Sequence, residues 1–116
     1  MKRIVTISCL FATAMAAQLA LAPKDFMHAM HVGMKAMDHD MAAAPMNGNV
    51  DHDFAAMMIP HHQGAIDMAK AELVYGTDPI MRRLAQEIIV DQQSEIEAMN
   101  LWLDKITTAT AKREKE

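Results

Sequence analysis

The sequence contains very little cysteine, glycine, proline or aromatic side chain, and each shortage excludes a class of protein. Its one cysteine, Cys9, has no second cysteine with which to form a disulfide or a thiolate metal site. Four glycines, four prolines and few β-branched residues after the first segment argue against a sheet and favour helices. Acidic residues outnumber basic ones by fifteen to eleven, so no basic patch for nucleic acid is expected.

The first 22 residues have the pattern of a secretory signal peptide. Lys2 and Arg3 form a basic start, an apolar run follows, and small residues lead to a cleavage site after Ala22. Cleavage after Ala16 and an uncleaved membrane anchor are the alternatives. We expect export to the periplasm, removal of residues 1–22 and no membrane attachment afterwards.

The remaining residues are enough for one small all-α domain. Turn-forming residues separate three predicted helices, over residues 24–41, 53–75 and 78–108. The second and third helices should form an antiparallel hairpin, because Gly76 suits a left-handed C-cap and Asp78 followed by Pro79 suits an N-terminus. The predicted divisions are a signal at 1–22, a Met/His-rich helical leader at 23–46, a linker at 47–53, the hairpin core at 54–111 and a charged tail at 112–116.

Helical periodicity gives the second helix an apolar arc with His61 at its centre and His62 nearer its edge. The other members of this arc are Phe54, Met57, Met58, Ala65, Met68, Ala69 and Leu73. Folding the hairpin about its short turn brings the two histidines to the level of Gln92 and Glu95 on the third helix. Polar side chains at one level of an apolar interface each need a partner.

Methionine is the remaining soft donor, and the chain has 13 of them beside six histidines. Thioether and imidazole suit monovalent copper, whereas zinc and iron prefer imidazole, carboxylate or thiolate. Met57 and Met58 lie one helical turn from the histidine pair, and Met68 lies further along the same face. The alternative is that these methionines only fill a core and that His61 is hydrogen-bonded to Glu95 without metal.

The predicted first helix carries methionine every three or four residues, with His31 between two of them. Leucine usually occupies such a stripe, so this helix is a second candidate for soft metal ions. Packing of a third core helix on the hairpin is the alternative, and both roles are compatible. The stripe consists of Met27, Met30, Met34, Met37 and Met41.

Two short repeats, Asp-His-Asp at 38–40 and Asp-His-Asp at 51–53, offer harder donors for divalent copper or zinc. The alternative is structural, since Asp51 or Asp53 would also suit the N-cap of the second helix.

The runs at 53–69 and 75–103 contain two specific patterns, Met-Met-Ile-Pro-His-His-Gln-Gly and Gln-x-x-Glu-Ile-x-x-Met-x-x-Trp-Leu. In these runs the chain resembles an uncharacterised bacterial domain family with a ferritin-like helical bundle, which includes the CopM-type copper metallochaperones of the periplasm. The resemblance implies that His61, His62 and the inner methionines lie near metal, with Met99 beside Gln92 and Glu95 on the facing helix. It also implies copper binding by the leader between Met27 and Met46.

We therefore expect a periplasmic copper-binding protein that is not an enzyme and acts in copper delivery or sequestration. Monovalent copper is the preferred ion, with divalent copper second, and the expected partners are copper ions and another copper-handling periplasmic protein. A ferritin-like carboxylate and histidine centre for iron, manganese or zinc, and a metal-free interaction module, are the alternatives; a homodimer is left open. The expected ligands are Met57, Met58, His61, His62, Met68, Met99, Glu95, Gln92, Met27, Met30, His31, Met34 and Met37.

Overall fold

The computed structural model describes the backbone of residues 5–113 and 115, and the side chains of residues 24–113 and 115. Three helices follow one another in this part of the chain: α1 (Val5–Ala42), α2 (Val50–Tyr75) and α3 (Pro79–Arg113). No strand occurs among the described residues, so the all-α prediction is confirmed. None of the described helices combines the length and the hydropathy needed to cross a membrane.

α2 begins at Val50, three residues before its predicted start, because Asn49 caps it. The Asn49 side chain accepts the backbone N–H of His52 at 3.0 Å, which satisfies one of the free donors of the first turn. Asp51 and Asp53 lie inside this first turn, so the prediction that one of them is the N-cap is wrong. Their charge still favours the positive end of the helix dipole.

The turn between α2 and α3 is closed by side chains. Asp78 accepts the N–H groups of the second and third residues of α3, at 2.9 and 3.0 Å, and Pro79 is the first helical residue, as predicted. Gly76 has an extended backbone (φ −72°, ψ 147°), so the predicted left-handed cap is wrong. Arg82 donates instead to the carbonyl oxygens of Leu73 and Gly76. These hydrogen bonds satisfy backbone acceptors at the end of α2, as a left-handed cap does in other helices.

α2 is the middle helix of a single layer. It packs against α1 on one side and α3 on the other, and α1 and α3 do not touch within the described residues. Phe26 of α1 meets Tyr75 edge to face, with ring centroids 6.5 Å apart, whereas His62 reaches α3. Both neighbours of α2 run antiparallel to it, because low residue numbers on one helix meet high numbers on the other.

The core of this layer is small. Only two of its buried apolar residues, Ile66 and Ile96, are larger than alanine. The full set among the described residues is Ala55, Ala56, Ile66, Ala69, Ala71, Ala85 and Ile96. Phe54, which was expected to be inside, is 62% exposed, and Leu84 of α3 is 46% exposed.

The apolar arc predicted on α2 coincides only in part with what α2 buries, since Ala69 is buried but the centre of the arc is not. Its predicted centre, His61, is exposed, and so is Phe54. The prediction assumed one packing partner, but two flanking helices bury two opposite sides of α2. At about 100° per residue, the arc through Phe54, His61 and Ala65 falls between those two sides, on a face of the layer that the chain leaves open.

Candidate metal centre

His62 joins α2 to α3 at the level that the hairpin geometry predicts. Its Nε2 lies 2.6 Å from Glu95 Oε2, and the Gln92 amide donates to the same oxygen at 3.1 Å. Its Nδ1 donates to the Met58 carbonyl oxygen at 2.7 Å. Because a carbonyl only accepts, Nδ1 carries a proton, and a second proton must lie between Nε2 and Glu95. Both ring nitrogens are thus engaged, and His62 binds a metal only by releasing one of these partners.

His61 has the opposite environment. It is exposed rather than internal, so its predicted position as the inner histidine is wrong, and His62 is the buried member of the pair. The two rings meet edge to face, with centroids 5.9 Å apart. Among residues 24–113 the His61 ring has no hydrogen-bond partner. Its nitrogens are therefore free to bind an ion.

The seam between α1 and α2 brings together donors from both helices. Met37 packs directly on Gly64, where a Cβ would lie 2.7 Å from the Met37 Cβ and Sδ. Met68, one turn further along α2, contacts Gly33, and His61 lies one turn before Gly64. The thioethers of Met37 and Met68 therefore lie in this seam, and His61 lies at its edge, on the exposed face beside it. The absence of a side chain at Gly64 is what allows α1 to approach this closely.

The methionine stripe of α1 divides into two sets. Met30 and Met37 are half-buried on the side that faces α2. Met27 and Met34 are 49% and 36% exposed, and His31 between them is also exposed. Met27, His31 and Met34 follow one another at helical spacing, and we refer to them as the α1 row. Packing within the chain accounts for the seam methionines and not for the α1 row.

The other predicted donors lie apart from these sets. Met57 is half-buried one turn before His61, and Met58 contributes its carbonyl oxygen to His62. Met99 lines an open groove of about 330 Å³ between α2 and α3, beside Phe54 and Trp102. The structure thus groups the predicted ligands by helix pair rather than around one centre.

Asp53 of the second Asp-His-Asp repeat has a structural role. Its carboxylate accepts the backbone N–H groups of Asn47 and Gly48, at 2.8 and 3.0 Å, and the His52 ring lies 3.0 Å away. The N–H of Asn47 and then the His52 side chain lower the pKa of Asp53. In the first repeat, His39 and Asp40 form an exposed pair at 2.9 Å.

Hard donors are not gathered into one centre. Within the described part of the chain, no three His, Cys, Asp or Glu side chains lie close enough together to hold one ion. The His62–Glu95 pair supplies two such donors. A centre of the carboxylate and histidine type uses several more, on facing helices.

Gly33 is the sequence signal that separates the seam from the α1 row. It is buried in the middle of the methionine stripe, where α1 touches Met68 of α2. A glycine inside a helix often marks a close approach of two backbones. Phe26, Met30, Gly33 and Met37 follow one another at steps of three or four residues on the same side of α1. This spacing identifies the contact side of the helix.

The sequence is similar to those of known proteins. The chain is similar to the uncharacterized protein L153 of Acanthamoeba polyphaga mimivirus, with 44% identity over 55 residues. That match covers 47% of this chain and 36% of the relative, so it spans little more than a third of the relative's length. A family model described as domain of unknown function (DUF305) matches residues 10–103. Since this match covers most of the sequence, the chain belongs to the DUF305 family.

Proposed function

We propose that this protein binds monovalent copper in the periplasm, on methionine and histidine side chains, and sequesters or delivers it without acting as an enzyme. The observation that carries the proposal is the α1 row. Met27 and Met34 are exposed although methionine normally fills interiors, and His31 lies between them at helical spacing. Thioether and imidazole together form a soft donor set, which prefers monovalent copper.

The seam is the second part of the proposed copper path. His61 has free ring nitrogens; Met37 packs on Gly64, one turn from His61, and Met68 lies two turns from His61 along α2. Met34 of the α1 row and Met37 of the seam are neighbours three residues apart on α1. An ion held at the exposed row can thus pass to the seam by ligand exchange between adjacent thioethers. A thioether carries no proton, so this exchange releases none.

The packing register supports the proposed removal of residues 1–22. The Phe26 ring of α1 already lies against Tyr75, the last residue of α2. Residues that precede Phe26 on α1 therefore lie beyond the end of α2. Cleavage after Ala22 leaves the α1–α2 contact and both proposed copper sites intact.

The proposal extends to the branch of the family to which the chain belongs. We place the chain with the CopM-type metallochaperones, and its bundle with the ferritin-like folds. The Met-Met-Ile-Pro-His-His-Gln-Gly pattern at 57–64 and the methionine stripe of α1 support this placement.

One observation favours a second candidate, a centre for iron, manganese or zinc. The His62–Glu95 pair places one imidazole and one carboxylate from two helices 2.6 Å apart. Metal analysis of protein purified without added metal separates the two candidates. Stoichiometric iron, manganese or zinc supports the carboxylate and histidine centre, whereas bound copper supports the proposal.

Titration of monovalent copper against a chromophoric chelator, without oxygen, tests the proposal. The wild type should take copper from the chelator, and the double variant Met27→Leu, Met34→Leu should lose about one equivalent of that binding. Met81→Leu is the matched control, because Met81 is also exposed, at 46%, and is not a proposed copper ligand, and leucine fills a similar volume. A wild type that takes no copper contradicts the proposal, and equal loss in the control contradicts the role of the α1 row.

A further inference from the structure

One face of the α2–α3 hairpin leaves large apolar side chains uncovered. On α2 this face includes Phe54 and Ala65, and on α3 it includes Met81, Leu84 and Trp102. Phe54 is 62% exposed, and Met81 and Leu84 are each 46% exposed. We refer to these five residues, with the surface between them, as the open face.

The opposite face of the same layer is polar. On α2 it carries Gln63, Asp67 and Lys70, and the Asp67 carboxylate accepts from Gln63 at 3.1 Å and from Lys70 at 3.4 Å. Side chains of this kind are the normal solvent-facing side of an amphipathic helix. Val74, Val90 and Leu101 are also exposed, outside the open face, but on the open face Phe54 of α2 and Trp102 of α3 line a common groove. Apolar side chains grouped in this way mark an interaction surface.

A single layer of helices also buries few large apolar side chains. Ile66 and Ile96 are its only buried apolar residues larger than alanine within the described chain. Helical domains normally bury their apolar stripes between two packed layers. The open face therefore lacks the second layer against which its large side chains would pack.

We infer that the open face binds the open face of a second copy of this chain. The face is self-complementary along α3. Near one end, Trp102 and Ala98 line the groove of about 330 Å³, and near the other end Leu84 projects from the helix. Leu84 and Trp102 lie on opposite sides of the level of Glu95, so a twofold axis near that level brings Leu84 of each copy to the groove of the other. This is the reciprocal contact of an isologous dimer.

The size and charge of the open face suit such a dimer. Two helices about 10 Å wide, in contact over about 25 residues at about 1.5 Å per residue, give roughly 700 Å² per copy. A stable interface needs about 800 Å² per partner, which is similar. The Glu95 carboxylate near the middle of the face is already paired with His62, which limits the cost of covering it, and Asp51 is the other carboxylate that lines the groove.

His61, a proposed copper ligand, lies on the surface between Phe54 and Ala65 and would be covered in the dimer. None of the five residues that define the open face is itself a proposed ligand, so the inference goes beyond copper binding and is tested without metal. Sedimentation equilibrium in metal-free buffer tests it on the protein as isolated from producing cells, with its N-terminus determined by mass spectrometry. We expect a dimer for the wild type. Phe54→Glu and Leu84→Glu should each give a monomer, because a charge in the dimer interface would be unpaired. Val74→Glu is the matched control, since Val74 is 69% exposed one turn after Lys70, outside the open face, and this variant should remain a dimer.

A monomeric wild type overturns the inference, and so does a wild-type dimer that both open-face variants keep. Because a glutamate variant can fail to fold, a crosslinking test runs beside it in a Cys9→Ser background. A short bismaleimide should crosslink Ala65→Cys, on the open face near the proposed axis, and should not crosslink Gln63→Cys on the polar face. Equal crosslinking of the two variants, or crosslinking of neither, overturns the inference.

Discussion

Met37 packs directly on Gly64, and this contact sets how closely α1 approaches α2. A methyl group at position 64 would lie 2.7 Å from the Met37 Cβ, which is attached to the backbone and has little freedom to move. We therefore expect Gly64→Ala to lower the free energy of unfolding by about 1–3 kcal/mol, as overpacking does elsewhere. Urea denaturation measures this change.

Gly33→Ala is the control for Gly64→Ala. Its new methyl would lie 3.6 Å from the Asp67 Cβ and 3.7 Å from the Met68 Cγ, which is ordinary contact. The better helix propensity of alanine should leave this variant as stable as the wild type or more stable by up to about 1 kcal/mol. Equal destabilisation at the two glycines would contradict the described register of α1 on α2.

The adjacent histidines should behave differently when each is replaced by alanine. His62→Ala removes the hydrogen bond to Glu95 across the α2–α3 contact and the one to the Met58 carbonyl oxygen within α2. The side chain is only 13% exposed, so the change should lower the free energy of unfolding by about 1–3 kcal/mol. His61→Ala removes an exposed ring and should change stability by no more than about 0.5 kcal/mol. Thermal denaturation of both metal-free variants measures the difference. Equal losses in the free energy of unfolding would contradict the assignment of His62 as the partner of Glu95.

The same pair should show the reverse order in copper binding. His61 has free nitrogens, whereas His62 must first release Glu95 or the Met58 carbonyl oxygen. We expect His61→Ala to weaken binding of monovalent copper more than His62→Ala does, as measured by competition with a chelator. A larger loss in the folded His62→Ala variant would transfer the proposed ligand role to His62.

Asp53 should make the folding stability depend on pH in the range below neutrality. The N–H of Asn47 and the His52 side chain lower its pKa in the folded protein. At acidic pH the Asp53 carboxylate therefore takes up a proton when the protein unfolds. The contribution of Asp53 is therefore present near neutral pH and is lost as the pH falls through its lowered pKa. We expect Asp53→Asn to melt at a lower temperature than the wild type near neutral pH, and the gap to narrow on acidification.

Asp51→Asn is the matched control for that experiment, since Asp51 is exposed in the same first turn of α2. Its melting temperature should remain closer to that of the wild type than the melting temperature of Asp53→Asn does. A gap for Asp53→Asn that stays constant from neutral to acidic pH would contradict the proposed linkage.

Local signals in the sequence were sufficient for the helices and the hairpin. Asp78 followed by Pro79 fixed the start of α3, and the short turn placed His62 opposite Glu95. The capping role of Asn49 was missed, because several residues of the linker suit an N-cap and only the folded backbone selects one. Gly76 is extended for a similar reason, since the distant Arg82 side chain serves its carbonyl.

The arrangement of the candidate site could not be predicted from helical periodicity alone. One apolar arc on α2 predicts one partner, but α1 and α3 pack on opposite sides of it. For this reason His61 was expected inside and is exposed, and the methionine stripe was expected to act as one unit. The burial of Gly33 shows that the stripe instead divides between the seam and the α1 row.

The most direct test of copper binding is a crystal structure of the protein grown with monovalent copper without oxygen, with anomalous scattering recorded at the copper edge. The account predicts anomalous peaks beside the sulfur atoms of Met27 and Met34 and the His31 ring, and beside His61 at the α1–α2 seam. Copper found only at the Asp-His-Asp repeats, or no copper at any methionine sulfur, would contradict it.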